Sequence, residues 1–283
     1  RFPHKELEGI EQREVQPQIS GTWFPQQTLL FPPMVANPRE TDYSAVYRIG
    51  DNVLGKDSIA VSFGDYFPIF RWHNVWKWQG DFEISIQAGA WSVFKMWVDR
   101  PDEWAELVNT DYFVGFPLMY ATGKWAFRGR VYHISSHLGD EFMVHNPQVE
   151  RLNPSMEAID FFVNYQLTQG VRFFAGAGVV VHSDKTYKLN PLYFEWGAEL
   201  RHFGRKHTYH KVYGTPFIAI YMRNWQAVDF KQDGTYMLGY EFSKLQGIGR
   251  KIRFFLEFHH GYSEGQFFKD ISSYGGFGFS YGF

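Results

Sequence analysis

The most regular feature of the sequence is an alternation of large apolar residues with polar or very small ones. In residues 190–203, for example, Phe194 and Trp196 alternate with Glu195 and Glu199. A period of two puts successive side chains on opposite faces of a β-strand, so the pattern predicts an all-β chain. About twelve strands are predicted, at residues 43–50, 58–72, 79–94, 110–122, 124–137, 156–168, 170–183, 190–203, 212–225, 234–244, 250–262 and 273–283.

The connections between these strands alternate in length. Residues 122–124 and 168–170 read as tight turns, whereas 95–109 and 138–155 read as long loops. An even number of antiparallel strands returns both chain ends to one side, and bacterial single-chain barrels have short periplasmic turns and longer external loops. The spacing therefore favours an up-and-down arrangement with its long loops outside the cell.

Composition narrows the class of protein. Aromatic and charged residues each make up 20% of the chain, while the mean hydropathy is −0.34. A barrel with an apolar outer face and a polar interior would combine these values. No uncharged apolar stretch is long enough for a transmembrane helix. Cysteine is absent, which excludes disulfides and thiolate metal sites, and the net charge of −2 gives no electrostatic case for nucleic-acid binding.

The final strand alternates Phe277, Phe279, Tyr281 and Phe283 with glycine and serine. It resembles the closing strand of bacterial outer-membrane β-barrels. The resemblance implies a transmembrane antiparallel up-and-down β-barrel of about 12 strands, integral to the bacterial outer membrane, with Phe283 read by the assembly machinery. A soluble β-sandwich would share the alternation of faces. The aromatic content, the strand lengths and the terminal aromatic favour the barrel.

Two regions follow from the strand pattern. Residues 1–42, rich in proline, glutamine and charge, are predicted to be an N-terminal extension on the periplasmic side, either a plug or brace for the barrel or a flexible leader. Residues 43–283 are predicted to form the barrel. Its inward positions carry similar numbers of arginines and carboxylates, and a barrel of this size is narrower than the porins, so a packed lumen is expected.

The most unusual local sequence runs from Tyr132 to Glu141 and contains two histidines, two serines and two carboxylates. On the strand at 124–137, Phe127 and Val131 belong to the lipid-facing row, and His133, Ser135 and His137 continue it. Placing polar side chains on a lipid-facing surface costs free energy, so a purely structural role would not readily explain them. The block is therefore a candidate for chemistry near the external membrane boundary.

The pair His133-x-Ser135 on an outward strand face resembles the outer-membrane phospholipase A family and the barrel lipid A deacylases. That resemblance implies a general base at His133, a nucleophile at Ser135 and an orienting residue on the next strand. Glu157 has the parity of its lipid-facing neighbours there and is the candidate for the third role. The implied substrates are membrane lipids, either phospholipid or lipopolysaccharide, and a homodimer is a further implication.

Three interpretations of the block stay open at this stage. In a lipid hydrolase, Ser136 or the backbone amide of Gly139 would help to stabilise the oxyanion. In a metal site, His137, Asp140 and Glu141 would bind a divalent ion together with His133. Nitrogen ligands would suit zinc, and carboxylates with loop carbonyls would suit Ca²⁺. In a structural role, the histidines and serines would contact headgroups and water.

The corresponding functions come from different classes. An enzyme would cleave an acyl ester of phospholipid or lipid A through an acyl-Ser135 intermediate. A non-catalytic barrel would bind partners, and a narrow channel would pass small solutes.

Overall fold

Twelve antiparallel strands close into a barrel in the part of the chain that the structure describes. The structure is a computed structural model, and it describes residues 20–53, 55–100, 103–150, 152–203, 208–209, 212–245, 248–263, 267 and 270–283. The strands are β1 (Ser20–Trp23), β2 (Tyr43–Asp51), β3 (Gly55–Val75), β4 (Gly80–Arg100), β5 (Glu103–Thr122), β6 (Trp125–Leu138), β7 (Ser155–Thr168), β8 (Val171–Ser183), β9 (Leu192–Arg201), β10 (Thr208–Tyr209), β11 (Val212–Trp225), β12 (Gln232–Leu245), β13 (Ile248–Tyr262) and β14 (Ile271–Gly282).

The wall of the barrel follows chain order. Each strand from β2 to β9 and from β11 to β14 pairs with its neighbours in the sequence, and β14 pairs with β2 to close the circle. The short strands β1 and β10 lie outside this circle and pair with β3 and β11. The predicted twelve-stranded, antiparallel, up-and-down barrel is confirmed.

One predicted connection is wrong. Residues 95–109 were expected to form a long loop, but β4 continues to Arg100 and β5 begins at Glu103. The two strands stay paired as far as Arg100 and Glu103, with register shifts after Val93 and Met96. These irregularities break the simple alternation of faces, so the sequence pattern ends before the hairpin does.

The connections divide the barrel into two ends. Short connections at 76–79, 123–124 and 169–170 lie at one end, here called the turn end. The connections 139–154 and 184–191 lie at the other, the loop end. The first of these contains helix α1 (Asp140–His145), and a 3₁₀ helix (Gln226–Val228) follows β11 at the same end. No helix among the described residues is long and apolar enough to cross a membrane.

The outer face of the barrel is apolar and exposed. Phe194 and Trp196 on β9 are exposed, while Glu199 on the same strand is buried in the interior. The same division holds on β13, where Phe254 and Leu256 are exposed and Arg253 is buried. A soluble protein would bury such an apolar face, whereas a barrel in a bilayer turns it to lipid.

The interior is filled by ion pairs and by residues 28–42, here called the luminal segment. Phe31 and Met34 of this segment are almost fully buried and pack with the inward-facing Phe162, Phe174 and Phe217. Its backbone is also held, because the amide of Val35 donates to Glu199 Oε1 at 2.9 Å. The segment therefore occupies the lumen. The domain boundary placed at residue 42 stays a prediction, and residues 1–19 lie outside the described residues.

Candidate active site on the outer wall

Strand register brings three polar residues together at the loop end of β6, β7 and β8. His133 on β6 lies directly across from Glu157 on β7. Glu157 in turn lies across from His182 on β8. Around them the outer wall is apolar, with Val114, Val131 and Ile159 exposed on the same face. The cluster is therefore a polar island on a surface built for lipid.

The carboxylate of Glu157 is held from both sides. Nδ1 of His133 lies 2.7 Å from Glu157 Oε1, and Nδ1 of His182 lies 2.5 Å from Glu157 Oε2. An ionised carboxylate only accepts hydrogen bonds, so each Nδ1 carries a proton and donates it. In neutral His133 this leaves Nε2 as the basic nitrogen. That is the tautomer a general base needs.

Ser135 follows His133 by two residues and lies on the same face. Its neighbours across the strands are Tyr112 on β5 and Ser155 on β7. The hydroxyl of Ser135 forms no hydrogen bond with His133 among the described residues. In unliganded hydrolases this bond is often long and tightens only when substrate binds. The absence of this bond therefore does not rule out Ser135 as a nucleophile.

The cluster is half-accessible. The side chains of His133 and Glu157 are 40% and 39% exposed, and that of His182 is 74% exposed. The loop 184–191, which begins two residues after His182, is held by Asp184, which accepts hydrogen bonds from Thr186 and Asn153. The hydrogen bond from the Thr186 side chain is the main cause of the lowered pKa of Asp184. The three side chains of the cluster are therefore accessible from the outer face of the barrel.

Two predicted assisting groups are not at this site. Ser136 points into the barrel, where it is 2% exposed, so its hydroxyl lies on the opposite face of the sheet from Ser135. The amide of Gly139 donates to the carbonyl oxygen of Val108 at 3.0 Å. A side chain at Gly139 would also collide with the Leu107 carbonyl. Neither Ser136 nor Gly139 is therefore free to stabilise an oxyanion at Ser135.

The predicted metal ligands are not brought together either. His137 is exposed on the outer wall, with its ring against Tyr112. Asp140 and Glu141 form the first turn of α1. No group of three or more histidine, aspartate or glutamate residues within the described ranges could hold a metal ion. His137, Asp140 and Glu141 therefore do not fit a zinc or Ca²⁺ site.

His182 was missed by sequence reasoning because a β-bulge changes its face. The other β8 residues that face outward are odd-numbered, such as Phe173 and Val179. The register shifts between the pairs Glu157 with His182 and Ala158 with Val180, which leaves Val181 as the extra residue. The bulge turns the even-numbered His182 outward, as bulges commonly do beside functional sites.

A second histidine and serine lie on the outer wall, on the opposite side of the barrel. Nδ1 of His260 on β13 and Oγ of Ser273 on β14 are 2.7 Å apart. Strand order places β7 and β14 six strands apart in either direction around the barrel. No carboxylate pairs with His260 among the described residues. This second pair has the residue types of the first without its orienting acid.

Comparison with known proteins gives one family and several similar folds. A family model described as a protein of unknown function, DUF1207, matches residues 1–283. No curated protein sequence matches the chain. Among solved structures, the outer membrane phospholipase A of Escherichia coli is 13% identical with a TM-score of 0.55, covering 84% of this chain and 89% of its own.

Two further structures belong to this comparison. The calcium-bound dimer of the outer membrane phospholipase of Salmonella typhi is 13% identical with a TM-score of 0.54, covering 85% of this chain and 89% of its own. LpxR from Salmonella typhimurium is 12% identical with a TM-score of 0.40, covering 86% and 100%. At such identities the two phospholipases show a shared fold, that of outer-membrane barrels.

Proposed function

The chain belongs to the DUF1207 family, and we propose that it is an outer-membrane hydrolase that cleaves acyl esters of phospholipid or lipid A with Ser135 as nucleophile. The observation that carries the proposal is the 2.7 Å contact between His133 Nδ1 and Glu157 Oε1 on the outer wall. It fixes the imidazole in the tautomer that a base requires. The similarity of fold to outer membrane phospholipase A supports the same class of reaction.

In the proposed reaction His133 Nε2 takes the proton of the Ser135 hydroxyl as Oγ attacks the ester carbonyl carbon. The bond to the alcohol breaks, and His133 returns the proton to that leaving oxygen, which gives an acyl-Ser135 and a released alcohol. A water molecule then attacks the acyl group, again with His133 as base, and releases the fatty acid. Glu157 stays ionised and stabilises the imidazolium formed in each half.

The position of the cluster favours a membrane lipid as the substrate. His133, Ser135 and Glu157 lie at the loop end, on the face that would meet the outer leaflet. An ester at the boundary between acyl chains and headgroups would reach them with its acyl chain along the exposed Val131 and Ile159.

The test is fatty-acid release from phospholipid and from lipid A by purified protein in mixed micelles. Ser135→Ala and His133→Ala should each abolish release, since removing either member of such a unit costs about 10⁴-fold or more. Ser273→Ala and His260→Ala are the matched controls and should be as active as wild type. Parallel assays with calcium and with a chelator test a metal requirement. Full activity in Ser135→Ala, or none in wild type with calcium, would refute the proposal.

A narrow solute channel is the second candidate, and the interior argues against it. The luminal segment packs Phe31 and Met34 into the core of the lumen, and arginine and carboxylate pairs occupy the surrounding wall. Planar-bilayer recordings of the wild-type protein should therefore show no steady ion conductance.

Three predicted partners accompany the function. Lipids of the outer leaflet are the proposed substrates, and the outer-membrane assembly machinery is the proposed reader of Phe283. A homodimer is proposed by analogy with the Salmonella typhi phospholipase, whose structure is a dimer. Sedimentation of the purified protein with and without a substrate analogue tests the last point.

A further inference from the structure

The β-bulge at Val181 has one evident product, the outward position of His182. If β8 kept its regular alternation, Val181 would lie across from Glu157 and His182 would point into the lumen. With the bulge, His182 faces the lipid side, where its ring is 74% exposed and so gains little from packing. Its one strong contact there is the 2.5 Å hydrogen bond to Glu157 Oε2. The bulge therefore makes the hydrogen bond between His182 and Glu157 possible.

That bond restrains a group which otherwise has rotational freedom. The last torsion of a glutamate side chain is broad and roughly two-fold, so a single hydrogen bond leaves the carboxylate free to turn. Glu157 is 39% exposed and has no packed shell to stop it. Donors on both oxygens, His133 on Oε1 and His182 on Oε2, fix the plane of the carboxylate. A fixed carboxylate fixes the ring of His133 in turn.

We propose that His182 is a positioning residue of the hydrolase, which acts through Glu157 to hold His133 in its productive orientation. The inference rests on the proposed function. His182 touches neither Ser135 nor the reacting ester in this scheme. Its loss should therefore lower kcat, which depends on the alignment of the base, and leave KM for the lipid unchanged.

A second line of support comes from the opposite wall of the barrel. His260 is also an outward histidine at the loop end, and it binds Ser273 directly through Nδ1. No bulge interrupts the pairing of β13 with β14 at that position. An exposed histidine on this surface is thus accommodated by ordinary strand register. The bulge in β8 lies beside the residue that pairs with Glu157.

The experiment compares His182→Ala with His182→Asn in the fatty-acid release assay. The side-chain amide nitrogen of asparagine lies near the position of histidine Nδ1 and can donate to Glu157 Oε2. We expect His182→Ala to lower kcat by about 10-fold without a change in KM, in line with the cost of loosening a supporting group. His182→Asn should recover most of the loss. His260→Ala is the matched control and should leave both constants unchanged.

The outcomes separate this inference from the function on which it rests. Activity lost in Ser135→Ala but unchanged in His182→Ala would leave the hydrolase intact and overturn the role of His182. A raised KM with unchanged kcat would overturn it too, because it would indicate a substrate contact. So would an asparagine variant no better than the alanine variant. Activity retained in Ser135→Ala would instead refute the hydrolase itself. Heat denaturation of each variant verifies that its barrel is folded.

Discussion

The interior and the outer wall of this barrel hold their carboxylates with different partners. Inside, Glu199 accepts hydrogen bonds from Arg172 at 2.6 Å and from Arg201 at 2.7 Å, and it is 1% exposed. On the outer wall, Glu157 is held by two histidines and is 39% exposed. Arginine keeps its charge at any physiological pH, whereas histidine gains and loses a proton near neutrality. The interior pairs are suited to permanent structure, and the outer cluster is suited to proton transfer.

The difference extends to what each cluster is connected to. Arg172 also donates to the carbonyl oxygens of Pro32 and Pro33, so the interior pair ties the luminal segment to the wall. Glu157 is connected to two imidazoles and, through His133, to the strand position of Ser135. Substitutions in the two regions should therefore have separable effects on stability and on activity.

The largest expected effect is on stability, from Arg172→Ala. The substitution removes one of the two arginines that hold the buried carboxylate of Glu199 and frees two carbonyl groups of the luminal segment, so the free energy of unfolding should fall by about 3 kcal/mol. Urea unfolding in lipid vesicles, followed by tryptophan fluorescence, measures it. The protein that remains folded should release fatty acid at the wild-type rate.

The double variant Arg172→Met with Glu199→Leu is the control. Replacing both members of a buried pair by apolar residues avoids an unbalanced buried charge, so the double variant should lose less free energy of unfolding than Arg172→Ala. Some loss should remain, because the carbonyls of Pro32 and Pro33 and the amide of Val35 lose their partners in it. A loss of activity per folded molecule in either variant would contradict the expectation that interior pairs affect stability and not activity.

The next effect is on activity, from Glu157→Ala. Without the carboxylate, the ring of His133 loses its tautomer and its orientation, and kcat should fall by about 10²-fold or more. Glu157→Gln keeps an oxygen that can accept a hydrogen bond from His133, so its kcat should lie between those of wild type and Glu157→Ala. Steady-state kinetics on phospholipid micelles measures both. Since Glu157 is half-exposed, the midpoint of unfolding should change little in either variant. A large drop in the midpoint would indicate that the cluster has a structural role.

The smallest effect is expected from Ser136→Ala. Ser136 is adjacent to Ser135 but faces the interior, where no hydrogen bond of its hydroxyl is found among the described residues. Its removal should leave kcat and KM unchanged and the stability equal or slightly higher. A clear loss of activity would show that Ser136 takes part in the reaction, and would contradict the assignment of the active site to the outer face.

Much of the fold could be predicted from the sequence because lipid-facing and inward-facing residues alternate so regularly. The strand of His133 and Ser135 was placed correctly, and parity selected Glu157 as the candidate for the orienting residue that the resemblance implied on the next strand. The register then confirmed that Glu157 lies across from His133. Both results depend on the two-residue period of a β-strand. An error of one residue in the alignment of a strand would exchange its outward and inward faces.

The rest of the site could not be predicted because it depends on departures from that period. His182 faces outward only through the bulge at Val181, and a bulge leaves no mark in the apolar pattern of β8. The predicted roles of Ser136 and Gly139 were wrong for another reason. They were grouped with Ser135 by proximity in sequence, although parity already placed Ser136 inside and Gly139 is tied to Val108 by its amide.

If Ser135 is a nucleophile activated by His133, it should react with a serine-directed inhibitor. The purified protein is treated with a long-chain alkyl fluorophosphonate, and the adduct is mapped by mass spectrometry. We expect a stoichiometric adduct on Ser135 in wild type, none in His133→Ala, and normal labelling in His260→Ala. Absence of an adduct in folded wild-type protein, or an adduct on Ser155 or Ser273 instead, would contradict the proposed role of Ser135.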